Sequence, residues 1–301
     1  MIALTFPAGA GRSSAMDIND LEQVVGHVVI DGRAHAFVWT LATGMVDIGG
    51  LPGSVHSYAT AINNAGQVAG YSVDDRYQSH AFRWSPSEGV VRLPMPPGTV
   101  HSDASGINAS GEVVGGRGSN SVQVAFRWSR EKGTEDLASS ETSDRALAIA
   151  DNGDVVGYSL EWEWGGFSSA VLWTAGGTKT ILDTCDLAPN PYCAIASSIN
   201  SAGQIAGTSY DRYSSSLAYR LTVGADRQNI TGAPGSNSSE ASAINEAGQV
   251  VGRSMGPAYP LWHAFLWSPI GGAIDLGALP GRQGSRAYGI NNRGQVVGSS
   301  Y

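Results

Sequence analysis

The hydrophobic positions of this chain fall in short alternating runs bounded by Gly, Asn, Ser and Pro. Ser57-Tyr58-Ala59-Thr60-Ala61-Ile62 is one such run, and period-two alternation predicts a strand. Asn63-Asn64-Ala65-Gly66 follows as a tight hairpin, because Asn tolerates turn geometry and Gly takes positive φ at no steric cost. Gln67-Val68-Ala69-Gly70-Tyr71-Ser72 reads as the returning strand. After a variable loop, His80-Ala81-Phe82-Arg83-Trp84 predicts a third strand, with its large side chains on one face and Ala on the other. Ser85-Pro86-Ser87-Glu88-Gly89 then turns into a fourth, Val90-Val91-Arg92-Leu93. We call these strands a, b, c and d.

The set recurs. Ile-Asn-x-x-Gly-Gln-Val-Val-Gly, with variations, starts at Ile18, Ile62, Ile107, Ile149, Ile199, Ile244 and Ile290, at spacings of 44, 45, 42, 50, 45 and 46 residues. His-Ala-Phe-x-Trp follows the first six copies, at 35–39, 80–84, 124–128, 169–173, 217–221 and 263–267. A third block, Asp-Leu-Gly-x-Leu-Pro-Gly, is clearest at Asp275 to Gly281 and Asp47 to Gly53. Four strands in ~45 residues is the unit of a β-propeller blade; β-helix rungs are shorter, and sandwiches run to ~100 residues. The expectation is an all-β propeller of four-stranded antiparallel blades forming a single domain over residues 1–301.

The ends set the number of blades. Ile2-Ala3-Leu4-Thr5-Phe6 precedes Ile18 as Val46 precedes Ile62, so it reads as a strand d, and the chain closes on an a and a b strand. That makes 27 strands, one short of seven blades, with 1–11 and 285–301 expected to share an incomplete closing blade. Met1 aligns with Met45, which suggests an internal residue of a longer chain whose missing strand c lies upstream. Six blades with frayed ends is the alternative.

These blocks, from Ile62 to Gly70, His80 to Trp84 and Asp275 to Gly281, resemble the HAF repeats of bacterial extracellular proteins. The His-Ala-Phe triplet is intact at His35, His80 and His263, while Val124, Ser169 and Leu217 replace the His and Leu221 replaces one Trp. The resemblance covers nearly the whole chain and implies a secreted or cell-surface location. It implies no activity and no catalytic residues.

Composition narrows the function classes. Gly supplies 40 of 301 residues and charged residues only 15%, which excludes a helical bundle, since each helical Gly costs about 1 kcal/mol. An apolar fraction of 42% excludes disorder. A net charge of −8 without a basic cluster argues against nucleic acid, and no apolar run approaches the ~18 residues of a membrane span. Neither a basic n-region nor a long apolar h-region follows Met1, so no signal peptide is expected in this chain. Cys185 and Cys193 lie in the insertion that swells repeat four, and we expect them to form a disulfide closing that short loop in an oxidising compartment. No cofactor or metal is expected: a P-loop, a dinucleotide fingerprint, a Gly-x-Ser-x-Gly elbow and a calcium loop are all lacking.

The a–b turns are uniform, whereas the b–c loops differ in every repeat and concentrate aromatics beside charged groups. Tyr77, Trp162, Trp164, Tyr213, Tyr259 and Trp262, with Asp75, Arg76 and Arg212, are the candidate ligand-binding residues. Flat aromatic faces rimmed by polar groups suit sugar rings and protein hot spots alike. The expected function is therefore a monomeric, non-catalytic binding module for a glycan, with a cell-surface protein as the alternative partner. A carbohydrate-active hydrolase or lyase would need paired acids, for which Asp74, Asp75, Glu161, Glu163 and Asp211 are available. His35, His80 and His263 open strand c and are expected to be structural; His56 and His101 are candidates for ligand contact.

Overall fold

The computed structural model describes residues 3–119, 123–137, 143–161, 167–183, 194–210, 215–257 and 259–301. The described residues contain no helix, and so none long and apolar enough to cross a membrane. They form six four-stranded antiparallel sheets and one two-stranded sheet, each in the order a-b-c-d or, in the last, a-b. Blade two shows the plan: a is Ser54–Ile62, b Val68–Asp74, c Ser79–Ser85 and d Gly89–Arg92. The other a strands are Ser13–Ile18, His101–Ile107, Ser143–Ile149, Ala194–Ile199, Ser238–Ile244 and Ser285–Ile290. Each a strand touches the a strand of the next blade, and the seventh touches the first, so the inner strands form a closed ring about one axis.

Two elements differ from the sequence expectation. Of the strand expected at Ile2–Phe6, the described residues 3–6 form no strand; residues 3–10 run without strand pairing, and 26 strands are described instead of 27. No described strand c borders the seventh blade's b strand, Val296–Ser300, so a strand d has nothing to bond there. Leu4, Phe6 and Ala10 pack instead on the blade-one core, with the Phe6 ring edge-on to Phe37 at 5.3 Å. In repeat six the b–c loop is shorter than expected, because strand b extends to Gly256 and strand c begins at Tyr259. The disulfide expected between Cys185 and Cys193 lies outside the described residues.

The conserved blocks have separate jobs in the packing. The Ala of His-Ala-Phe is fully buried in Ala36, Ala81, Ala125, Ala170 and Ala218, where a larger side chain would hold adjacent blades apart. The Phe lies across the Gly of strand b: Phe37, Phe82, Phe126 and Phe265 pair with Gly26, Gly70, Gly115 and Gly252 and are wholly inaccessible. The d–a linker wedges between blades. Ile48 and Leu51 join Val25, Ala36 and Val38 of blade one to Ala59, Ile62, Val68 and Phe82 of blade two.

The Asn of each a–b turn ties one blade to the next. Asn63 Oδ1 accepts from the amides of Ala65 and Gln67, at 3.1 and 3.0 Å, and its Nδ2 donates to Gln67 Oε1 at 2.8 Å. The remaining Nδ2 proton reaches the backbone carbonyl of Asn108 in blade three, at 2.9 Å. Asn19, Asn108, Asn200 and Asn245 make the same reach forward, and Asn291 donates to Asn19 at 3.0 Å, which closes the circle from blade seven to blade one. Blade four alone breaks the pattern, because Ala150 stands where the Asn would be. Asp20 reinforces the seam by bonding Asn64 of blade two and Asn292 of blade seven.

Two predictions follow from this ring of contacts. Asn63→Ala strands a buried carbonyl and two turn amides and is expected to cost about 2–3 kcal/mol in chemical denaturation, whereas Ala150→Asn is expected to add about 1 kcal/mol; equal stability of all three proteins would refute the role assigned to the amide. The second concerns Asp17, which is buried and accepts from the amides of Ile18 and Ile62 at 2.8 and 2.9 Å. Burial outweighs those bonds and raises its carboxyl to about 6. Because the folded state holds this proton more tightly than the unfolded chain, its stabilising contribution is complete below about pH 4 and is lost as pH rises through about 6. Denaturation midpoints measured from pH 4 to 7 should fall less steeply in Asp17→Asn than in the parent.

Candidate functional site

The backbone that builds the candidate site is a repeated bulge. Strand a shifts register against strand b two or three residues before the conserved Ile in all seven blades. At the shift the carbonyl of the residue four before that Ile turns toward strand b, into the space a Cβ would take. Only Gly fits opposite, and it stands there each time: Gly26, Gly70, Gly115, Gly157, Gly207, Gly252 and Gly298.

The residue whose carbonyl is accommodated is the variable one. At that position the seven repeats carry Ser14, Tyr58, Asp103, Arg145, Ile195, Glu240 and Arg286. Across the ladder from them lie His27, Tyr71, Gly116, Tyr158, Thr208, Arg253 and Ser299, on strand b. These pairs occupy the two innermost strands toward the b–c end of the axis, on an otherwise small-residue scaffold. Side chains of different size and charge are thus set in a circle.

Blades one to four supply one sector. Tyr58 and Tyr71 stack with ring centres 4.9 Å apart, His27 meets Tyr58 edge-on at 5.0 Å, and His56 lies 6.5 Å from the same ring. Asp103 forms an ion pair with Arg145 of the next blade. Burial raises the Asp103 carboxyl even against the Arg145 charge, and burial also lowers the His27 imidazole and raises the Tyr71 phenol. Burial thus favours the neutral forms of His27 and Tyr71 in this sector.

Blades five to seven supply the other. Glu240 and Arg253 pair at 2.8 Å across the ladder, and the Arg253 guanidinium covers the Trp262 ring at 4.3 Å. The Tyr210 phenol, at the end of strand b in blade five, is pushed up to about 12, by burial first and then by Glu240, with Arg253 and Arg286 opposing. Tyr210 is accordingly a hydroxyl donor at any physiological pH. Arg286 lies over Tyr288 at 5.1 Å.

The residues singled out from the sequence divide among these places. Tyr77 is 82% exposed at the tip of the blade-two b–c loop, with φ of 61°, and Asp75 and Arg76 are exposed beside it. Asp74 is committed to the loop itself, accepting from the amides of Arg76 and Gln78, both at 2.9 Å, and lying 3.1 Å from His80 Nε2. Trp262 enters the second sector through Arg253. Tyr259 belongs to strand c of blade six, but its side chain, like that of Glu161, lies outside the described residues, as do Trp162, Glu163, Trp164, Asp211, Arg212 and Tyr213.

The histidines are fastened to the frame. His35 and His263 bond strand-d carboxylates, Asp47 at 2.8 Å and Asp275 at 3.1 Å. His56 and His101, expected as candidates for ligand contact, use Nδ1 to accept the amides of Ala34 and Ser79 in the preceding blade, at 3.1 and 3.4 Å. No group of three or more His, Cys, Asp or Glu among the described residues is arranged to hold a metal ion.

Sequence reasoning placed the chemistry on loops and passed over the inner-strand circle. The signal was present: among strands of Ala, Ser and Gly, one position carries Ser, Tyr, Asp, Arg, Ile, Glu and Arg in turn. Its link to the site depends on the bulge, which hydrophobic alternation does not reveal. Gly70→Ala tests the arrangement, since its Cβ would collide with Tyr58 O and with the Phe82 ring. A loss of about 3 kcal/mol, with a change in the near-ultraviolet circular dichroism of the Tyr58–Tyr71 stack, is expected.

No protein-family model matches the chain, and no curated protein matches it in sequence. Solved structures do match in shape. Oligogalacturonate lyase from Vibrio parahaemolyticus is 10% identical, with a TM-score of 0.56 over 91% of this chain and 85% of its own. Virginiamycin B lyase from Staphylococcus aureus is 10% identical, with a TM-score of 0.52 over 95% and 93%. TolB from Acinetobacter baumannii is 14% identical, with a TM-score of 0.49 over 71% of this chain, which spans only 53% of TolB. At such identities the likeness is one of fold: the chain is a β-propeller.

Proposed function

We propose that this propeller is a secreted or cell-surface binding module that takes a glycan at the b–c end of its axis. The observation that carries the reading is the Tyr58–Tyr71 stack, edged by His27 and followed by the Asp103–Arg145 pair. Aromatic faces receive the apolar faces of sugar rings, and adjacent carboxylate and guanidinium groups receive their hydroxyls. The exposed Tyr77 and the Arg253–Trp262 stack extend the same chemistry outward to the loops. Both acids of the circle, Asp103 and Glu240, are held in ion pairs with arginine, an arrangement suited to fixed hydrogen bonding. The resemblance of the repeats to the HAF repeats of extracellular bacterial proteins agrees with such a location.

A panel of neutral and acidic polysaccharides, titrated calorimetrically, tests the reading. Saturable binding is expected, weakened at least tenfold by Tyr71→Ala and less by Tyr77→Ala, with both variants checked for folding by circular dichroism. A folded parent that binds no member of the panel would sink the glycan reading and leave a protein partner on the same face.

A further inference from the structure

The search for unused chemistry narrows to the cations of the circle. Four arginines stand on the described inner two strands of the blades: Arg117, Arg145, Arg253 and Arg286. Three have carboxylate partners, namely Asp136, Asp103 and Glu240. The Arg286 side chain has neither an ion pair nor a hydrogen bond among the described residues, and it lies over the Tyr288 ring. Its Nε is buried and lacks an acceptor.

A half-buried guanidinium whose Nε is cut off from water and unbonded, with no counter-ion, carries a cost, because the hydration lost at that atom is not replaced. The neighbourhood makes matters worse for Arg286. Glu240, the acid on the adjacent inner strand, is already engaged by Arg253, so the sector carries two guanidinium groups against one carboxylate. The chain as a whole is strongly acidic, yet among the described residues of this sector the guanidinium groups outnumber the carboxylates. Tyr210 adds a hydroxyl donor in the field of the same three charged groups.

The geometry points to a carboxylate subsite: Arg286, seated on Tyr288 and flanked by Arg253 and Tyr210, receives the carboxylate of an acidic saccharide. The assignment rests on the glycan reading above and adds the class of sugar, a uronate or similar acidic residue. A planar carboxylate matches the guanidinium fork, supplies the missing acceptors and neutralises the excess charge. A neutral sugar does the first only in part and the last not at all. Division of labour then follows round the axis, with the Tyr58–Tyr71 sector receiving a ring face and the Arg286 sector an acid group.

Polyuronates before and after carboxyl reduction provide the test, since reduction turns each carboxylate into a CH2OH and leaves the ring intact. Calorimetric titration of the parent with each polymer should give at least a tenfold tighter affinity for the acidic form, falling as salt is raised. Arg286→Gln should abolish that gap by weakening the acidic polymer far more than the reduced one, and Arg286→Lys should keep part of it. Thermal denaturation of the variants should match or exceed the parent, because an uncompensated charge has been removed or eased. Equal binding of both polymers, or an acid preference that survives in Arg286→Gln, would overturn the carboxylate subsite and leave the glycan reading standing. Failure of the folded parent to bind either form would overturn both.

Discussion

A primary amide has two donors and two acceptor sites, and this fold spends all four of them at the innermost turn of a blade. In Asn63 three bonds hold the hairpin and the fourth crosses to the next blade. Neither Gln, one methylene longer, nor Asp, which lacks the donor, satisfies that set. The consequence is geometrical. Because every turn but blade four's is fixed by its own Asn, and every turn but blade five's is bonded by the preceding blade, neighbouring blades cannot rotate independently about the axis. The seventh blade has two described strands, and Asn291 and Asn245 hold it in register.

The same economy governs the opposite end of the inner strands. A bulge that displaces one carbonyl, and a Gly that makes room for it, give every blade an identical backbone at the point where the side chains differ most. Function and framework are therefore carried by adjacent atoms of the same residue, the carbonyl serving the fold and the side chain serving the site. The electrostatics follow from depth: the Asp103 carboxyl is raised by burial although an arginine touches it, so desolvation prevails over Coulomb attraction there. Outside, at Asp74, backbone amides decide the balance in the other direction.

Much of the architecture is legible in the sequence because it is written six or seven times. The Ile-Asn-x-x-Gly-Gln block encodes the turn, and His-Ala-Phe-x-Trp encodes a strand with one small and one bulky face; Ala81 and Phe82 behave accordingly. The terminal strand is not legible by the same reasoning. Residues at Leu4 and Phe6 have strand-like alternation, but a strand requires a neighbour, and packing on Phe37 is what the apolar side chains obtain instead. The circle of inner-strand residues escapes for another reason. Tyr58 and Asp103 occupy positions that alternation assigns merely to one face of a strand; only three-dimensional closure brings seven such positions to a common axis.

The unpaired position at Ala150 shows how much departure the wheel tolerates: one spoke lacks its tie and the rim still closes. The variable position four residues before each Ile has no backbone tie to lose, since its contribution to the framework is a carbonyl that every amino acid possesses. The seven addresses around one axis can therefore change letters without disturbing the hoop, although Asp103 and Arg145, which bond each other, change as a pair. On the function proposed above, recognition in such a ring is combinatorial, set by the cyclic word of side chains read round the axis rather than by any one pocket, and a new specificity is reached by respelling that word while the hoop stays as it is.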